Sequence, residues 1–268
     1  MHGELNARTV DGILGYMGAP ATFAFAGAAY GMGDFSNNAK WMVTGGWERE
    51  GGHYRSGLNS IPVIERYRAH PDDFWLLQVG VAGILACLPN IDAQGAPSMA
   101  FHTHPFIHAH DPNSGDHGLA FFGSSLNAGA YLHNHTTLGP LCFLCDLAPP
   151  AGNGVLTLTP RDPYRVRAYL EPLGLWLVAE AGLLESVALD VAGRAVTVSL
   201  APGAAAAAAA GLPSPPYDNL RLRVEQAAPT DRGFAFTLKE PAGAQVVRGA
   251  YQFPPAAGGG ATRAVISF

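Results

Sequence analysis

The sequence predicts an α+β multidomain protein, with a helical region over residues 1–146 followed by an antiparallel β-sandwich over residues 147–268. Two observations carry this. Apolar residues cluster at helical spacing before Pro149-Pro150, and they alternate with polar ones after Gly154. Hydrophobic residues make up 48% of the 268, which is ample for buried cores and argues against disorder of the whole.

In the first region, Leu5 to Met17, Ala21 to Met32, Gly57 to Arg68, Asp72 to Cys87 and Leu119 to His133 read as helices. Loops rich in Gly, Asn and Asp separate them. His70-Pro71-Asp72-Asp73 is a helix start, with proline and acids where exposed N–H groups favour them. The segment from Phe74 to Leu88 has almost no polar face, as in a helix packed among other helices. In the second region, Val155–Thr159, Arg165–Leu170, Ala195–Leu200, Leu220–Val224, Phe234–Leu238 and Ala264–Phe268 read as strands. The seven alanines Ala204 to Ala210, with glycines on both sides and Pro213-Ser214-Pro215-Pro216 beyond, read as a surface linker within the sandwich.

Charge narrows the partners. The formal net charge is -5 and the basic residues are scattered, so nothing in the chain offers a stripe for a nucleic-acid backbone. No apolar window reaches the roughly 18 residues of a membrane span, and Met1-His2-Gly3-Glu4 does not open a signal peptide. The expectation is a soluble chain without a visible export signal. Of three cysteines only Cys142 and Cys145 are close. They sit in an apolar run that reads as a strand, where residues three apart point to opposite faces, so two separately packed thiols are expected.

Chemistry concentrates between Ala100 and Gly139, which hold seven of the ten histidines. An unpaired imidazole in an apolar interior is costly, so this density points to a polar surface or cleft. His102-x-His104 and His108-x-His110 have the spacing that puts two imidazoles on one strand face, and His133-x-His135 repeats it at a helix end. Neutral imidazoles ligate zinc, copper or nickel, but no acidic partner stands at a familiar spacing and Pro105 breaks a long strand. No metal and no other cofactor is expected.

Several strings resemble one family: Gly33-Asp34-Phe35-Ser36-Asn37-Asn38-Ala39-Lys40, Gly45-Gly46-Trp47-Glu48-Arg49 and His53-Tyr54-Arg55-Ser56-Gly57-Leu58-Asn59. So do His70-Pro71-Asp72-Asp73, Asn90-Ile91-Asp92, Phe101-His102, Ser114-Gly115-Asp116-His117-Gly118, Phe121-Phe122-Gly123, Asn134-His135 and Tyr169 to Trp176. The chain resembles the C-terminal region of large bacterial and fungal proteins named only as domain of unknown function 5695. The resemblance implies a partial α/α toroid of the six-hairpin glycosidase type in the helical region, a flanking β-sandwich, and action on carbohydrate. It also implies a longer parent protein, secreted or periplasmic, so that Met1 falls partway through the toroid and the remaining N-terminal part is a possible partner. The sequence departs from the family pattern at Thr103 to His110 and at His117, where histidines replace other residues.

The expected function is therefore a glycoside hydrolase-like protein acting on an oligo- or polysaccharide. Hydrolysis needs one carboxyl group as acid and a second as base or nucleophile. Asp116, between glycines ahead of a helix, and Glu48, beside Trp47, are the candidate pair, although a helix cap serves equally well for Asp116 and a solvated or Arg-paired loop acid for Glu48. Trp47, Glu50, Asp34, His102, His117 and the loop residues His53, Tyr54 and Arg55 are expected to bind substrate, with Trp47, Glu48, His53, Arg55, Asp116 and His117 converging on one concavity. A non-catalytic carbohydrate-binding or scaffold module is the alternative, and a histidine-based metal enzyme the second.

Overall fold

In the helical part, Ser60, Val63, Ile64 and Tyr67 are buried at the i, i+3, i+4, i+7 spacing of one helix face. They belong to α1 (His53–Ala69), which is followed after a short turn by α2 (Phe74–Leu85). The computed structural model describes residues 53–85, 129–149, 154–162, 165–202, 220–226, 239–254 and 261–268, together with Arg8, Val10 and Asp11. The turn closes through His70 N–H donating to the Arg66 carbonyl at 2.9 Å and Asp73 N–H donating to the His70 carbonyl at 3.1 Å. α2 buries Leu76, Leu77, Val79, Val81 and Ile84 and meets α1 where a Cβ on Gly80 would lie 2.5 Å from Ile64 Cδ1. The missing side chain is what lets the two helices approach so closely. Among the described residues, no helix is long and apolar enough to cross a membrane.

The chain divides into two compact units, Met1–Leu126 and Asn127–Phe268, and all twelve described strands lie in the second. They are β1 (Ala130–His135), β2 (Gly139–Phe143), β3 (Cys145–Leu147), β4 (Leu156–Pro160), β5 (Arg167–Leu170) and β6 (Leu175–Ala181). Then come β7 (Leu183–Asp190), β8 (Ala195–Ala201), β9 (Leu220–Gln226), β10 (Gln245–Val247), β11 (Ala250–Phe253) and β12 (Thr262–Ser267). One sheet has seven strands in the order β10-β11-β9-β6-β5-β1-β2, and the other has five in the order β12-β8-β7-β4-β3. Pairing is antiparallel except between β1 and β5, which run parallel.

One apolar core joins the sheets. Leu132, Leu170, Leu177 and Leu222 face it from the seven-stranded sheet, and Leu158, Val187, Val198 and Ile266 from the five-stranded one. β6 and β8 read buried and half-buried at alternate residues, as strands with one face inward do. The chain passes between sheets at Leu144, whose φ of 60° lies in the left-handed region. That reversal between β2 and β3 undoes the alternation assumed from sequence. Cys142 and Cys145 are consequently joined in a disulfide, not packed as separate thiols.

The sequence-based fold class is corrected. The described residues form mainly β-structure in two sheets with two short helices, and they show no partial α/α toroid. The clearest local change is Leu119 to His133, read as a helix, whose end is strand β1. Ala130 and Leu132 face the core while Tyr131 and His133 are also buried, so both faces of β1 are covered and its apolar run carries no period of two. Residues 86–128 and the expected strand Phe234–Leu238 lie outside the described residues.

Candidate functional site

The face of the seven-stranded sheet turned away from the core carries an aromatic and charged array. Alternation along β6 sends Leu175, Leu177 and Ala179 inward and Trp176, Val178 and Glu180 outward. The same rule on β9 sends Leu220 and Leu222 inward and Arg221, Arg223 and Glu225 outward. Pairing sets them in rows: Tyr169, Trp176 and Glu225 stand side by side across β5, β6 and β9, and Arg167, Val178 and Arg223 form the next row.

Trp176 is held from several sides. Its ring centroid lies 5.9 Å from that of Tyr131 and 6.4 Å from that of Tyr169. Its six-membered ring reaches over Gly129, where a Cβ would come within 2.6 Å of Cη2 and 2.7 Å of Cζ3. The glycine thus makes room for the indole, and Trp176 remains half-buried.

The charged end is organised by a bulge. Ala179 pairs with Leu222 and Ala181 with Arg221, so Glu180 is the extra residue between them. Its carboxylate accepts from Arg223 Nε at 2.6 Å and lies 3.1 Å from Arg221 Nη2, while Arg223 Nη1 stands 4.0 Å from Glu225. Between this pair network and Trp176 lies an open groove of 580 Å³ lined also by Val166, Arg167, Val178 and Ala179. An aromatic face beside fixed donors and acceptors is the composition that binds amphipathic ligands.

A second polar group lies beside β1. Glu171, which opens the 3-10 turn after β5, is buried and its Oε2 accepts the Asn134 N–H at 3.0 Å. Burial pushes its carboxyl above the ordinary 4.5, and the Asn134 N–H opposes this only in part. His133 is pushed below 6.5, first by burial and then by the charge of His135. His135 Nδ1 accepts the N–H groups of Thr137 and Leu138, each at 3.2 Å, and so closes the β1–β2 turn.

These shifts give opposite slopes of stability with pH. The raised Glu171 contributes fully below pH 4.5, and its contribution is lost as pH rises through its folded value. The lowered His133 contributes above pH 6.5, and its contribution is lost as pH falls through its folded value. In urea unfolding across this range, Glu171→Gln is expected to keep an acceptor for Asn134 and to remove the decline that begins above pH 4.5. Parallel pH profiles for the two proteins would contradict a buried carboxyl.

Of the residues expected from sequence to form the site, Asp34, Trp47, Glu48, Glu50, His102, Asp116 and His117 lie outside the described residues. His53, Tyr54 and Arg55 form the first turn of α1, not a loop before it. The helix continues through Gly57, an interior glycine whose cost of about 1 kcal/mol relative to alanine does not stop it. His133 and His135 lie on a strand, not at a helix end. Among the described residues, no group of three or more His, Cys, Asp or Glu could hold a metal ion. Sequence reasoning overlooked the outer-face set Arg167, Trp176, Glu180, Arg223 and Glu225. The usable signal was Leu220-Arg221-Leu222-Arg223-Val224-Glu225, whose polar half marks an outer face.

No curated protein and no solved structure matches the chain. The family pattern that does match covers residues 2–237, most of the length, and runs through α1, α2 and β1 to β9. By that match the chain belongs to the family of unknown function DUF5695.

Proposed function

We propose that this chain is a carbohydrate-active protein and that the groove beside Trp176 holds its glycan. The observation that supports this most is the half-buried indole seated over Gly129 next to the Arg221–Glu180–Arg223 network. A pyranose presents an apolar C–H face and a rim of hydroxyls. The indole offers the first a platform, and paired guanidinium and carboxylate groups offer the second both donors and acceptors. Because the network is already ion-paired, its side chains are oriented before ligand arrives, which reduces the ordering cost of binding.

Affinity electrophoresis in gels containing different polysaccharides tests this reading. The chain is expected to be retarded by at least one of them, and Trp176→Ala to lose that retardation, since an aromatic anchor of this kind contributes about 2 kcal/mol or more. Equal retardation of the two proteins would refute the site. As the expected acid and base, the carboxyl pair Glu48 and Asp116 would carry any glycan cleavage by the chain. Glu48→Gln and Asp116→Asn are expected to abolish cleavage without weakening retention, and a chelator to change neither. Loss of cleavage on chelation would favour metal chemistry at the histidines instead.

A further inference from the structure

The charges lining the groove bear on which glycan it accepts, and this step rests on the carbohydrate reading above. We infer that the ligand is an uncharged oligosaccharide, not a uronate-bearing or sulfated one. The lining contains two guanidinium groups, Arg167 and Arg223, and two carboxylates, Glu180 and Glu225, and the neighbouring Arg221 adds a third guanidinium that is paired with Glu180. Arg223 stands between the carboxylates, donating to Glu180 at 2.6 Å and lying 4.0 Å from Glu225. Glu180 is held in turn by Arg221 at 3.1 Å. An anionic sugar reaching for Arg223 would have to displace Glu180 while sitting beside Glu225, and like charges brought together across an interface are strongly disfavoured. The chain's formal net charge of -5 adds long-range repulsion of a polyanion.

Hydroxyl groups meet no such conflict. Each carboxylate has about four lone-pair directions and each guanidinium five N–H donors, so an ion pair still leaves acceptors and donors side by side. That arrangement suits vicinal hydroxyls, which donate and accept at neighbouring positions. Val178 provides an apolar floor between Arg167 and Arg223. The distance from β5 to β9 is two strand spacings, about 9.5 Å, which spans about two linked pyranoses lying across the strands.

Calorimetric titration of the full chain with neutral gluco-, xylo-, manno- and galacto-oligosaccharides and with oligogalacturonate, at low salt, tests the inference. At least one neutral series is expected to bind, with oligogalacturonate about tenfold weaker or more. Glu225→Gln, at an exposed position, is expected to improve oligogalacturonate binding several-fold without improving the neutral ligand. Oligogalacturonate binding as tight as the best neutral ligand, lost in Trp176→Ala and weakened by salt, overturns the neutral-ligand inference and leaves the carbohydrate reading standing. Failure of every glycan to bind overturns both.

Discussion

Gly129→Val is expected to weaken glycan binding about tenfold or more while removing no side chain from the groove. A Cβ at Gly129 would stand 2.6 Å from Trp176 Cη2 and 3.2 Å from the Arg167 carbonyl oxygen, so either the indole or the backbone must shift. The indole cannot simply slide sideways, because Tyr131 and Tyr169 pack near it with ring centroids at 5.9 and 6.4 Å. Overpacking of this kind costs about 1–3 kcal/mol of stability, which a titration on the folded protein separates from the loss of affinity. Unchanged affinity would show that the position of the indole is irrelevant to binding.

Leu177→Ala is expected to do the reverse. Leu177 neighbours Trp176 and Val178 in β6 but points to the opposite face, is fully buried, and belongs to the core between the sheets. Its truncation should lower the unfolding free energy by about 2–5 kcal/mol, read from urea titration. Affinity for glycan should change little in protein that remains folded, since no groove atom is removed. A loss of affinity as large as that of Trp176→Ala, in a folded variant, would mean that the two faces of β6 are not separate as proposed.

The strands were legible in sequence where one face is apolar and the other polar. Ala195 to Ala201 and Leu220 to Gln226 show that alternation directly. β6 and β7 did not, because Leu175 to Asp190 is rich in Leu, Ala and Glu, which favour helices, and because Trp176 and Val178 put apolar residues on the outer face too. Burial on both faces hid β1 in the same way. The disulfide was hidden by Leu144, whose left-handed conformation is not readable from a leucine in an apolar run. Family membership was legible, since the quoted strings from Gly33 to Trp176 all fall within the matched residues 2–237, whereas the toroid inferred with it was not what the described residues form. The groove escaped notice because its parts, Arg167, Trp176, Glu180, Arg223 and Glu225, are brought together only by strand pairing between segments distant in sequence.

The most direct test is a crystal structure of the full chain with a neutral oligosaccharide that it binds. The expected result is a pyranose stacked on Trp176, with its hydroxyls hydrogen-bonded to Glu180, Arg223 or Glu225. A sugar bound elsewhere on the chain, with this groove empty at saturating ligand, would contradict the account.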